Sequence, residues 1–169
     1  MNVQDLTTLI DYHYWARDRL FDAIRPLTTE QYEKDLGSSF KSIRETVVHI
    51  YAAEWAWYSR WQGHSPTSLL TSERFPDVES LGRAWAETEA NVRAFTTSLG
   101  DAGIDRVIAY KLLSGADGAS PFWQMLQHVV NHASYHRGQV TTMLRQLGAQ
   151  PAKSMDMIAF YRERTARAG

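Results

Sequence analysis

Apolar residues recur every three or four positions along most of this chain, which is the spacing of amphipathic α-helices that bury one face. The pattern predicts four long helices, at about 3–25, 40–62, 77–99 and 120–147. Long helices joined by loops of this kind favour a four-helix bundle. The predicted fold class is therefore all-α.

End signals place the helix boundaries. Ser42 with Glu45 three residues later is predicted to form a capping box ahead of the second long helix. Ser120 is predicted as the N-cap of the last long helix, with Pro121 in its first turn. Gly100 is predicted to end the third long helix.

The segments between these helices carry weaker patterns. A short helical turn is predicted at about 29–35, strand character at 104–112 before a turn at 115–119, and a final short helix at about 155–165. An up-down bundle is the simplest arrangement, although the long 63–76 connection is also compatible with another topology. Neither a repeat nor an interdomain linker is evident, so residues 1–169 are predicted to form a single domain.

Composition excludes several classes of protein. The chain has 169 residues, 44% of them hydrophobic, and a net charge of -1 with scattered basic residues, which argues against nucleic-acid binding. No apolar run approaches the roughly 20 residues of a membrane span, and no secretion signal is evident, so we expect a cytoplasmic protein without membrane contact. With no cysteine, any metal site has to use histidine, carboxylate and water.

Three histidines at four-residue spacing stand out in the last long helix. His128, His132 and His136 lie on one helix face, since four residues advance a helix by slightly more than one turn of about 3.6 residues. The first and third lie about 12 Å apart along the axis, too far to share one ion, so a metal takes two of the three. Spacing alone leaves two pairs open, and His132 belongs to both.

A catalytic metal usually has three protein ligands, so a third donor is needed from elsewhere in the fold. His49 lies beside the apolar face of the second long helix, where it can point into the bundle. His13 is also helical but lies among aromatic and charged residues. His64 lies in a segment typical of a surface loop.

At this point the sequence resembles the DinB family, also described as DinB/YfiT-like metalloenzymes. Four stretches carry the resemblance: YHYWAR at 12–17, the 42–61 helix with its histidine, NHASYHRGQ at 131–139 and MLRQLG at 143–148. The resemblance implies a four-helix bundle that holds a divalent metal on His49, His132 and His136. It also implies that His128 is not a ligand, that water completes the coordination, and that the protein is a homodimer.

The resemblance further implies a small-molecule substrate and a divalent transition metal such as zinc, nickel or iron. Relatives of known activity resemble thiol-dependent S-transferases or isomerases, in which a low-molecular-weight thiol is the cosubstrate. Two alternatives remain open: a metal-dependent hydrolase with Glu45 as candidate catalytic base, and a stress-related bundle that binds metal without turnover. We expect Gly138 to let a neighbouring backbone approach, and Arg137 and Gln139 to orient the ligands or bind a substrate.

Overall fold

The computed structural model describes residues 1–168 and shows a four-helix bundle with a short C-terminal helix and a two-stranded sheet. This confirms the predicted fold class. The helices are α1 (Val3–Ile24), α2 (Thr29–Glu33), α3 (Ile43–Trp61), α4 (Val78–Gly103), α5 (Phe122–Gln146) and α6 (Met157–Ala168), and the strands are β1 (Val107–Lys111) and β2 (Asp117–Pro121). Within residues 1–168, no helix has both the length and the apolar character needed to cross a membrane.

The long helices pack in a ring rather than in simple chain order. The main partners of α1 are α4 and α5, and α3 packs against the same two helices. Tyr51 of α3 contacts Trp85 of α4, and Trp61 near the end of α3 contacts Phe95 further along α4. The two helices therefore run parallel. The segment from 62 to 77 therefore crosses the length of the bundle, which explains why this connection is long and rules out the simple up-down arrangement.

The core lies between the four long helices and is made of aliphatic and aromatic side chains. Leu6, Ile50, Trp85, Phe122 and Leu144 are at most 1% exposed. Each such side chain contributes about 1.5–3 kcal/mol when it leaves water. This packing holds α3 and α5 at a fixed separation, which fixes the distance between the histidines that they carry.

The predicted start of the last long helix is wrong, because a strand takes up the capping residues. Ser120 pairs with Ile108, and Pro121 pairs with Val107, in an antiparallel ladder. The helix begins only at Phe122, whose backbone N–H donates to the carbonyl oxygen of Arg106 at 3.0 Å. A tertiary contact thus satisfies an N-terminal amide that the serine was expected to satisfy.

The β-hairpin is shorter than its sequence pattern indicated. Strand character was expected over 104–112, but β1 covers Val107–Lys111, and β2 occupies most of the predicted turn at 115–119. The ring of Tyr110 lies over Gly118, where an added Cβ would come within 2.6 Å of that ring. The glycine therefore lets the tyrosine ring lie flat against the hairpin.

Other end signals agree with the structure more closely. Thr28 and Gln31 form a reciprocal capping box at the start of α2. Gly100 has a φ of 58° and breaks the regular helix geometry near the end of α4, although a further helical turn follows. At α3, Ser42 accepts a hydrogen bond from the Glu45 N–H as predicted, but the Glu45 carboxylate accepts from Lys41 instead of closing the box.

Candidate metal centre

Three histidine side chains from two helices meet at the contact between α3 and α5. His49 of α3 and His136 of α5 each place Nε2 3.1 Å from Nε2 of His132. One nitrogen from each of the three rings lies within 4.8 Å of the others. The two helices run antiparallel here, so the single histidine of α3 faces the four-residue pair of α5.

The arrangement of the ring nitrogens fits a bound metal ion better than it fits hydrogen bonds among the three imidazoles. In a tetrahedral zinc site with Zn–N bonds of about 2.0–2.1 Å, neighbouring nitrogens lie roughly 3.3 Å apart, close to the observed 3.1 Å. A neutral imidazole carries one N–H, so a proton on His132 Nε2 can satisfy only one of its two neighbours. A cation satisfies all three lone pairs, and three imidazoles leave a fourth position open. The three-histidine group can therefore hold a metal ion.

Two neighbours fix the orientation of the rings. The Nδ1–H of His136 donates to Oε1 of Gln139 at 2.7 Å, which directs the bare Nε2 toward the other histidines. Phe40, from the loop before α3, stacks on His49 with ring centroids 4.0 Å apart. Gln139, which was expected to orient the ligands or bind a substrate, contacts the His136 ring. Phe40 was not predicted, because nothing in its loop sequence relates it to a helix face.

Burial keeps two of the imidazoles in the form that binds metal. Burial, with a smaller effect of the neighbouring His136, lowers the pKa of His49 to about 4. Burial and the other histidines lower the pKa of His132 to about 3. Both rings are only half-buried, so the cluster lies near the surface of the bundle.

The structure places the other candidate residues outside this cluster. His128 is exposed one turn before His132 and packs its ring against Trp57 at 5.2 Å. The Glu45 carboxylate accepts its hydrogen bond at the start of α3. The expected backbone approach at Gly138 is wrong, since within residues 1–168 no neighbouring segment comes within 4 Å of the position that a Cβ would occupy there. Arg137 is buried, and its guanidinium lies over the ring of Tyr12 and donates to the Ser134 hydroxyl.

A second polar cluster, which we had not predicted, lies inside the bundle. The carboxylate of Glu54 is 2% exposed and accepts hydrogen bonds from His13 Nε2 at 2.9 Å, the Tyr14 hydroxyl at 2.6 Å and Trp85 Nε1 at 2.7 Å. Burial alone raises the pKa of Glu54, but the charge of His13 and these three hydrogen bonds outweigh it, so the pKa is held below its usual value. His13 is thus committed to a carboxylate and is not a metal ligand.

Comparison with known proteins shows what the chain is similar to. A family model described as the DinB family matches residues 1–165. The protein named DinB of Bacillus subtilis (strain 168) is 24% identical over 167 residues, which cover 95% of this chain and 96% of that protein. YizA of the same organism is 22% identical over 153 residues, covering 85% of this chain and 89% of that protein. The crystal structure of a DinB-like protein from Bacillus cereus ATCC 10987 superposes with a TM-score of 0.58 at 17% identity, covering 86% of this chain and 95% of that one.

Proposed function

Because the chain belongs to the DinB family, whose model covers residues 1–165, we propose that it is a divalent-metal-dependent enzyme with His49, His132 and His136 as ligands. The observation that carries the proposal is the convergence of the three imidazoles within 4.8 Å. When bound, the ion supplies Lewis-acid chemistry by lowering the pKa of a water or thiol in its open position. Three imidazoles suit zinc, nickel or iron.

The surrounding residues support this role. Gln139 holds His136 in the tautomer that leaves Nε2 free for a metal. Phe40 covers one face of His49 and reduces the access of water to that ring. The lowered pKa values of His49 and His132 keep both rings neutral at physiological pH, so metal binding does not have to displace protons from them.

We propose thiol-dependent S-transfer or isomerisation as the reaction class. The chain has no cysteine, so the sulfur nucleophile would come from a low-molecular-weight thiol in solution. The same absence means that no protein thiolate competes with that thiol for the metal. The intermediate burial of His49 and His132 places the proposed site near the surface of the bundle, where such a molecule would approach it.

Elemental analysis of the tag-free protein tests the site. We expect one equivalent of a transition metal in the wild type and a loss of it in His132→Ala and in His49→Ala. The matched control is His128→Ala, which removes an exposed imidazole one turn away on the same helix and should retain the metal. Equal metal content in all four proteins, or none in any of them after reconstitution, would contradict the proposal.

Turnover assays of the metal-loaded protein then separate the candidate reactions. Electrophilic substrates are offered with and without a small thiol, and loss of free thiol is measured. Thiol consumption that requires the metal supports S-transfer. Metal-dependent hydrolysis unaffected by thiols, and lowered in Glu45→Gln, would support the hydrolase instead.

A further inference from the structure

A line of contacts runs from the histidine cluster along the seam between α3 and α5. The rings of His132 and His128 lie 5.9 Å apart, and His128 lies 5.2 Å from Trp57. The guanidinium of Arg60 lies over the indole of Trp57, 4.6 Å from its ring centroid. These contacts join the cluster to a buried arginine near the far end of α3.

Arg60 shares a helix face with His49. The two positions are eleven residues apart, close to three turns of about 3.6 residues, so Arg60 lies about 16 Å further along the axis. Helical side chains lean toward the N-terminus, and the arginine side chain is longer than that of His49, so the guanidinium and the imidazole lie closer together along the axis than their Cα atoms do. Ala53 lies between them on this face, and its short side chain leaves room along the surface.

The charge of Arg60 is not neutralised by the protein. Its side chain is 5% exposed, yet it forms no ion pair within residues 1–168, and its recorded hydrogen bond runs from Nε to the Lys111 carbonyl oxygen at 3.2 Å. The half-buried Arg17, Arg19 and Arg44 all pair with carboxylates. Burial lowers the pKa of Arg60, as expected for a guanidinium without a counter-charge.

The β-hairpin keeps this guanidinium in place. Tyr110 of β1 packs its ring against Trp57 at 5.0 Å and lies 5.8 Å from the Arg60 guanidinium. The terminal nitrogens of Arg60 are not among the fully buried polar atoms that lack a partner, so they keep some contact with solvent. A rigid, partly desolvated guanidinium that presents free N–H groups is suited to bind a carboxylate or phosphate.

We propose that this seam binds a substrate or cosubstrate whose anionic group pairs with Arg60 while its reactive group lies at the three-histidine site. This inference rests on the proposed metal function and adds the chemical class of the molecule: an elongated anion with an apolar middle. Trp57 and Ala53 line the seam beneath the apolar part. The distance from the cluster excludes the smallest anions from bridging both ends.

Thiols of graded length test this on the full chain loaded with cobalt(II), since a thiolate that binds cobalt adds a charge-transfer absorption. The probes are ω-mercaptooctanoate and ω-mercaptopentanoate, each compared with the neutral alcohol of the same length; the shorter acid is still too long to form a favourable chelate ring on the metal. We expect the long acid to bind about tenfold more tightly than the long alcohol, as a charge-assisted hydrogen bond predicts. The short acid and the short alcohol should bind equally, because the short acid cannot reach Arg60.

The Arg60→Gln variant should abolish the tenfold preference of the long acid over the long alcohol, and its circular dichroism and cobalt content report that it is folded and loaded. Arg93→Gln is the matched control, because this half-buried arginine lies on α4 and pairs with Asp11. Equal affinities for the long acid and alcohol in the wild type would overturn the inference alone. A preference that persists in Arg60→Gln would do the same. Failure of every thiol to produce the absorption in protein that holds cobalt would overturn the proposed thiol function together with the inference.

Discussion

Removing the buried carboxylate of Glu54 should destabilise the protein severely. In Glu54→Ala, the N–H groups of His13 and Trp85 and the hydroxyl of Tyr14 lose their common acceptor. An unsatisfied buried polar group costs about 1–3 kcal/mol, and breaking a buried charge pair costs about 3–5 kcal/mol. We therefore expect the free energy of unfolding to fall by about 4 kcal/mol or more, out of a typical total of about 5–15 kcal/mol.

The isosteric variant separates charge from hydrogen bonding. In Glu54→Gln, the amide oxygen can still accept from Trp85 and His13, and the amide nitrogen can donate to the Tyr14 hydroxyl, which is able to accept. Mainly the charge-assisted part of the interaction is lost. We expect this variant to lose about 1–2 kcal/mol of unfolding free energy.

Urea denaturation at pH 7, in the presence of a chelator, measures both effects. The expected order of stability is wild type, Glu54→Gln, then Glu54→Ala, with unchanged dependence on urea concentration. Glu87→Ala is the control, an exposed glutamate on α4 whose removal should change stability by less than about 0.5 kcal/mol. Equal losses below about 1 kcal/mol in both Glu54 variants would refute the view that three donors depend on this carboxylate.

Three further predictions concern the histidine cluster. Because the pKa values of His49 and His132 are lowered to about 4 and about 3, the ring C–H signals of these two histidines in an NMR titration of the metal-free protein should stay constant from pH 7.5 to about 5 and shift only near those values; a shift of either ring centred near the ordinary histidine pKa of about 6.5 would contradict this. Without metal, His49 and His132 bind protons below about pH 6.5 in the unfolded chain but stay neutral in the folded protein. Lower pH therefore favours the unfolded state, and the urea midpoint should fall as the pH drops from about 6.5 toward 4. Gln139→Leu removes the acceptor of His136 Nδ1 and should weaken zinc binding by about 10–100-fold, whereas unchanged affinity in competition with a chromogenic chelator would assign Gln139 no orienting role.

The helices could be predicted from the sequence because their apolar spacing is local information. Four long helices appear within a few residues of the expected bounds, and the cap of α2 at Thr28 was correct. The start of α5 was not predictable in the same way. Ser120 has the chemistry of an N-cap, but the ladder with β1 uses its backbone first, and that pairing depends on a segment more than ten residues away.

For the site too, features set by neighbouring residues could be predicted, whereas those that depend on distant parts of the chain could not. The four-residue spacing on α5 placed His132 beside a second histidine, but the choice of His136 and the addition of His49 depended on resemblance to a family. Glu54 gave no comparable signal, since a single glutamate in a helix looks like an exposed position. Its three partners lie 31 to 41 residues away in the chain.

The histidines of the bundle lie in two different electrostatic environments. One stabilises the fold, and the other can bind a metal. His13 faces a buried carboxylate, and its Nε2 is occupied by Glu54 at 2.9 Å. In the histidine cluster, the hydrogen-bonding partners at Nε2 of His132 within residues 1–168 are the imidazole nitrogens of His49 and His136. A carboxylate hydrogen-bonded to one of these nitrogens would favour the protonated imidazole, and the proton would then occupy the lone pair that a metal needs. Within residues 1–168, no carboxylate forms a hydrogen bond with these three nitrogens. Their lone pairs are therefore available to a metal.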